Sequence, residues 1–265
     1  MKMEENNMKQ TKILSLLVSA VMFCASMTAC GNGKSIEKLS DLSGASVACL
    51  SGSTGEVYAN GIMNATVVSF NSGLEAVQAL QNGETDAIIM DEAPAQIYTA
   101  HIDAVKILDQ KIDTEPYVIA CKKGNEKLAT MLNETLSTLK TDGTIDEILS
   151  HWVGTSADHV PYLAKEQDTK GELIMATVAN LPPFAEKEGS TVVGLEPDIM
   201  RAICDKLGMS LVIKEMSSTD EVLEAVKAGK ADVAVSRITV QKDYITKASF
   251  TESYFKSEQV IIAKS

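Results

Sequence analysis

Two stretches of this 265-residue chain repeat one another, and each finishes on a charge. Residues 79–91 and 225–237 both end a helical pattern on glycine (Gly83, Gly229), turn on aspartate (Asp86, Asp232) and continue through small or apolar residues. The first copy closes on Asp91 and the second on Arg237. Glycine at a C-cap followed by a turn and an apolar run describes a helix–turn–strand unit. In open α/β sheets ligands bind at the carboxyl ends of the strands, so the pattern aims both charges at a site. Arg237 and Thr239 also share one face of an extended segment, because i and i+2 point the same way. Ser53 and Glu56 have capping-box spacing, which starts a helix whose free N–H groups suit a carboxylate.

Side chains suited to catalysis are sparse. His101 at a helix end, His151 beside Trp152 and His159 in a polar stretch read as surface or packing residues. No Ser-His-Asp spacing, metal cluster or phosphate loop is present. Glu92 is the best candidate acid for an enzyme, against the plainer role of a first-turn surface glutamate. Cys49, Cys121 and Cys204 are expected to be buried small apolar residues, since three thiols cannot all pair and their spacing suits no zinc site. Neither metal nor cofactor is expected.

These residues need elements to hold them. Strand-like and helix-like segments alternate from residue 39: strands at 46–50, 66–70 and 86–90, helices at 54–63 and 73–82. A Pro-bearing turn at Pro116 leads to a strand at 117–121 and helices at 126–140 and 145–152. Residues 155–170 form a polar linker with Pro161. The alternation then restarts, with strands at 173–178, 210–216, 232–236 and 259–263 and helices at 196–207 and 220–228. This order predicts α/β layers with a largely parallel sheet, in two lobes of about a hundred residues each.

The first thirty residues stand apart. A basic start (Lys2, Lys9, Lys12) precedes an apolar run at 13–23 that is too short to span a bilayer, followed by small residues at a cleavage position. This is the form of a secretory signal, residues 1–29, and Cys30 behind it resembles the lipidated cysteine of a bacterial lipobox. Residues 30–37 would then be anchor and tether. Losing the signal removes three lysines and two glutamates and moves the net charge from −12 to about −13. So acidic a chain does not favour nucleic acid, which is bound by neutralising phosphates.

Three groups of residues carry a family resemblance. Residues 39–56, with Ser51-Gly52-Ser53-Thr54-Gly55-Glu56, look like the opening of a second lobe. Residues 86–94 and 141–154, ending Trp152-Val153-Gly154, look like that lobe's core and a usual C-terminus. Residues 173–184, 194–207 and 238–254 look like a usual first lobe. Together they resemble the type II periplasmic amino-acid-binding proteins of ABC importers, solute-binding protein family 3. The resemblance implies a two-lobe periplasmic-binding-protein fold in circularly permuted order, with a tandem-duplication remnant as the alternative. Lobe 2 would comprise 38–113 plus 256–265, and lobe 1 would comprise 114–255, including the linker.

By the same resemblance Ser51 and Thr54, with Ser53 between them at the helix start, bond the ligand. Asp91 matches the carboxylate that grips the ligand's ammonium, and Thr239 matches a hydroxyl on its carboxylate. Two positions depart from the pattern. Tyr244 stands where the family carries a guanidinium, and Leu181, before Pro182-Pro183-Phe184, stands where an aromatic is usual, with Thr219 at the second aromatic wall. Arg237, where relatives carry a small residue, is expected to take over the carboxylate clamp while Asp91 holds the ammonium. The implied function is a monomeric, lipid-anchored, extracytoplasmic protein that delivers a small polar ligand, an amino acid or related zwitterion, to an ABC permease. Hinges are expected at 111–117 and 254–259. An enzyme of dehydratase or lyase type and a ligand-sensing domain for a membrane partner are the alternatives. The latter would call for a transmembrane helix and an output segment.

Overall fold

The computed structural model describes residues 34–100, 102–154, 156–165 and 170–265, without the side chains of residues 242 and 243. The signal segment, Cys30, His101 and residues 155 and 166–169 of the linker lie outside the described residues.

The strands are β1 (Ser46–Leu50), β2 (Thr66–Phe70), β3 (Ala87–Asp91), β4 (Val105–Ile107), β5 (Asp113–Lys122), β6 (Glu172–Thr177), β7 (Asn180–Leu181), β8 (Ala185–Glu188), β9 (Thr191–Val193), β10 (Ser210–Glu215), β11 (Val233–Ala234) and β12 (Ala248–Lys264). The helices are α1 (Thr54–Asn60), α2 (Gly73–Asn82), α3 (Glu92–Thr99), α4 (Glu126–Thr141), α5 (Thr144–Trp152), α6 (Leu195–Leu207), α7 (Thr219–Lys227) and α8 (Lys242–Ile245). The main sheet runs β10-β6-β11-β5-β12-β3-β1-β2, with β4 also on β12. Its two ends are parallel blocks, β10-β6-β11 and β3-β1-β2. The centre is antiparallel: β5 lies between β11 and β12, and β12 passes on to β3.

Side-chain alternation builds a core on each face of each block, since successive strand residues point to opposite sides. Val47, Ile89 and Ile261 face α1, whereas Ala48, Ile88 and Ile262 face α2. Ile36 shares the first of these cores with Ala263. In the other block Tyr117, Ile119 and Cys121 face α4, α5 and α6, while Val118 and Ala120 face α7. Cys49, Cys121 and Cys204 are buried and unpaired.

The repeated unit serves both blocks in the same way. Ser72 and Ser218 cap α2 and α7 by accepting the N–H of Glu75 and Glu221. Gly83 (φ 78°) and Gly229 (φ 71°) supply the left-handed turn behind each helix. Asp86 then accepts the Ser46 N–H at 2.8 Å, and Asp232 accepts the Ile174 N–H at 2.8 Å. Each aspartate thereby fastens its strand to the neighbouring one.

Several boundaries differ from the sequence expectation. The helix expected at 54–63 closes at Asn60, where Gly61 takes over its cap. The strand expected at 232–236 is only Val233–Ala234, because the chain turns into a left-handed residue at Arg237 (φ 51°). The strand expected at 259–263 extends back to Ala248, with irregular register on β5 between Phe250 and Phe255. The three-stranded sheet β7-β8-β9 was not anticipated; its strands are only two to four residues long.

Candidate functional site

Asp91 ends β3, a strand buried at every position. Its carboxylate does not cap the helix α3 that follows. Instead Oδ1 accepts from the Tyr117 hydroxyl, from Ser257 Oγ at 2.9 Å and from Gln259 Nε2 at 2.8 Å. Oδ2 accepts from Arg237 Nη1 at 2.9 Å. The two charges aimed at one site by the repeat therefore hold each other, with side chains only 10% (Arg237) and 5% (Asp91) exposed.

Arg237 is held from three sides. Its N–H donates to Glu196 Oε1 at 2.6 Å, and the guanidinium carbon lies 5.9 Å from the centre of the Phe184 ring. Its Nε is buried and has no partner. Glu196, in the first turn of α6, is itself buried and accepts the Tyr254 hydroxyl at 2.5 Å. Burial pushes the Glu196 carboxyl above its ordinary range, against the lowering effect of the Tyr254 hydroxyl and the Arg237 N–H.

A third buried carboxylate lies alongside. Glu115 Oε2 accepts from Thr54 Oγ1 at 2.7 Å and from Thr239 Oγ1 at 3.5 Å, while Oε1 has no partner. Burial raises its pKa as well. Thr54 and Thr239, on opposite blocks of the sheet, thus meet on one oxygen.

All eight residues singled out from the sequence border one cleft. Ser53, Thr54, Asp91, Arg237, Thr239 and Tyr244 line its inner part. Ser51, Ser53, Leu181, Arg237 and Tyr244 line an adjoining cavity of about 470 Å³, together with Thr219 and Asp220 at the start of α7. Ser53 caps α1 by accepting the Glu56 N–H, but the Glu56 carboxylate accepts the N–H of Gly52 instead of that of Ser53, so the expected capping box forms only on one side. Tyr117, Ser257, Gln259, Glu115 and Glu196 were missed. The available signal was alternation, since Ser257 and Gln259 are i and i+2 on one strand face.

The remaining candidates fall elsewhere. Glu92 forms an ion pair with Lys111. His151 bonds Asp158, and His159 stacks on Trp152 at 5.4 Å. Among the described residues no cluster of His, Cys, Asp or Glu is arranged to hold a metal. None of their helices is long and apolar enough to cross a membrane.

Residues 173–265, which include α6, β12 and the Arg237–Thr239 edge of the cleft, match the family of bacterial extracellular solute-binding proteins, family 3. The chain is 33% identical over 121 residues to the ABC transporter glutamine-binding protein GlnH of Bacillus subtilis, covering 45% of this chain and 44% of that protein. It is 27% identical over 95 residues to the arginine-binding extracellular protein ArtP of Bacillus subtilis, covering 36% and 37%. A membrane-bound lytic murein transglycosylase F of Actinobacillus succinogenes is 27% identical over 85 residues, covering 32% of this chain and 18% of that enzyme. The chain spans less than half the length of these relatives. Family members are mainly solute-binding proteins, and the domain also occurs within enzymes.

Proposed function

We propose that the protein is an extracytoplasmic solute-binding lipoprotein that captures a small polar, carboxylate-bearing solute of the amino-acid class and delivers it to an ABC permease. One observation carries this: a buried guanidinium whose Nε has no partner, Arg237, and hydroxyls from both sheet blocks converge on a cleft large enough for such a solute. The glutamine-binding and arginine-binding relatives supply the solute class, and the first of them the transporter.

In this account lobe 2 is 38–113 plus 256–265 and lobe 1 is 114–255, joined where β5 and β12 cross between them. A solute touching both lobes favours the closed arrangement by its differential affinity, and the closed form docks on the permease. The segment order is read as a circular permutation, and Cys30 as the lipid site that holds a monomer at the outer face of the membrane. Binding is read as non-enzymatic; Glu92, the candidate acid, pairs with Lys111 and lines neither cavity.

A thermal-shift screen of the purified protein against amino acids, their derivatives and organic acids tests the reading. A solute that binds only the folded state raises its melting temperature. At least one small carboxylate should do so and be recovered chemically unchanged. No shift across the screen, or turnover that Glu92→Gln abolishes, would overturn it.

A further inference from the structure

We propose that the cleft reads its solute's carboxylate through Arg237 and leaves the α-amino group unread, so that its ligands are carboxylic acids whose neighbouring nitrogen is acylated or absent. The inference rests on the solute-binding reading above and narrows the solute class.

An ammonium group needs an anionic partner, and each carboxylate near this cleft is engaged or shielded. Asp91 accepts four hydrogen bonds, one of them from the Arg237 guanidinium. An incoming ammonium would have to displace those donors and then sit beside a like charge in a buried place. Glu196 borders neither cavity, and its Oε1 already accepts from the Tyr254 hydroxyl and the Arg237 N–H. Glu115 borders neither of the cavities that Arg237 lines; it lies behind the Thr54 and Thr239 hydroxyls, facing a separate one. Asp220 does line the outer cavity, but it is exposed, and an exposed pair contributes only about 0–1 kcal/mol.

The cationic side of the site is unsatisfied in the opposite sense. Arg237 uses Nη1 on Asp91, while its Nε is buried without an acceptor. Nε and Nη2 form the side-on edge of the guanidinium, whose paired N–H groups match a carboxylate. The same residue lines both the inner and the outer cavity. A solute carboxylate on that edge would satisfy the orphaned donor and complete a row of Asp91, guanidinium and carboxylate. Charges in that row alternate, so the bound solute needs no cation of its own.

Titration calorimetry on the wild-type protein tests this with matched sets: standard L-amino acids as free acids, as N-acetyl derivatives, and as carboxamides that keep the ammonium but lose the carboxylate. For the best-binding side chain, the N-acetyl derivative should bind at least as tightly as the free acid, and the carboxamide should give no heat. Arg237→Ser should weaken the N-acetyl ligand by about thirtyfold or more. It also frees Asp91, so the variant should shift its preference towards the free amino acid. A free acid that binds wild type more than about tenfold tighter than its N-acetyl form overturns the inference while leaving the solute-binding reading intact. Heat from none of the three forms removes that reading and the inference with it.

Discussion

Asp91 and Arg237 occupy equivalent places in two copies of one pattern, yet their side chains meet at 2.9 Å instead of standing apart. Bringing two charges out of water is costly, and removing one partner of a buried pair leaves the other uncompensated. Arg237→Met should therefore destabilise the fold by about 3 kcal/mol, and adding Asp91→Asn should recover most of the loss. Urea denaturation of the two variants measures both. Glu115 carries a separate charge cost, because burial raises its pKa above the ordinary 4.5. A carboxyl raised on folding favours the protonated native state. Its contribution is therefore present at acid pH and is lost as pH climbs from the unfolded pKa through the raised folded one. Glu115→Gln should be more stable than wild type at pH 7, with the difference vanishing at pH 4 or below; melting curves across that range check it. The sequence disclosed that Asp91 and Arg237 share a site, because the repeat marks equivalent strand ends. It did not disclose that they bind each other, which depends on a distance across two blocks of the sheet. Tyr117, Ser257 and Gln259 stayed hidden because a polar residue in a strand reads as the solvent side of an alternating pattern.

Elements position these groups through a few close approaches. Helix α1 brings Thr54 to Glu115 because Gly55 lets the helix lie on β3: a Cβ at Gly55 would stand 2.7 Å from the Ile89 carbonyl oxygen. That contact is with backbone, so neither side can yield cheaply. Gly55→Ala should lower stability by about 1–3 kcal/mol through overpacking, and should weaken solute binding by displacing Thr54. Thermal melts read the first effect and calorimetry the second. Helices with serine caps and glycine stops, such as α2 and α7, were legible almost to the residue. Strand β12 was not. The stretch before Val260 carries Ser249, Thr251 and Ser257 at buried positions, so the continuous apolar run begins only at Val260. Two irregular registers on β5 further break the period that would have marked it.

At the scale of the molecule, the parallel blocks follow from the βα alternation, which the sequence displays plainly, whereas the antiparallel centre formed by β5 and β12 departs from the largely parallel sheet that this alternation predicts. A circularly permuted order is expected only from the family resemblance, since no local pattern records which lobe comes first. If the order is a permutation, a chain that runs from residue 170 to Ser265, through a short flexible linker into Ile36 and on to Gly154, should fold. Its circular dichroism and its solute affinity should match those of the parent, whereas an unfolded product would count against the permutation. The cleft is proposed to hold a small carboxylate solute on Arg237. A crystal structure with the solute that gives the largest thermal shift tests it most directly. Density should lie between the lobes, with the solute's carboxylate on the Nε edge of Arg237 and within reach of Thr239. Solute density outside the cleft, or a carboxylate held there by some group other than Arg237, would contradict it.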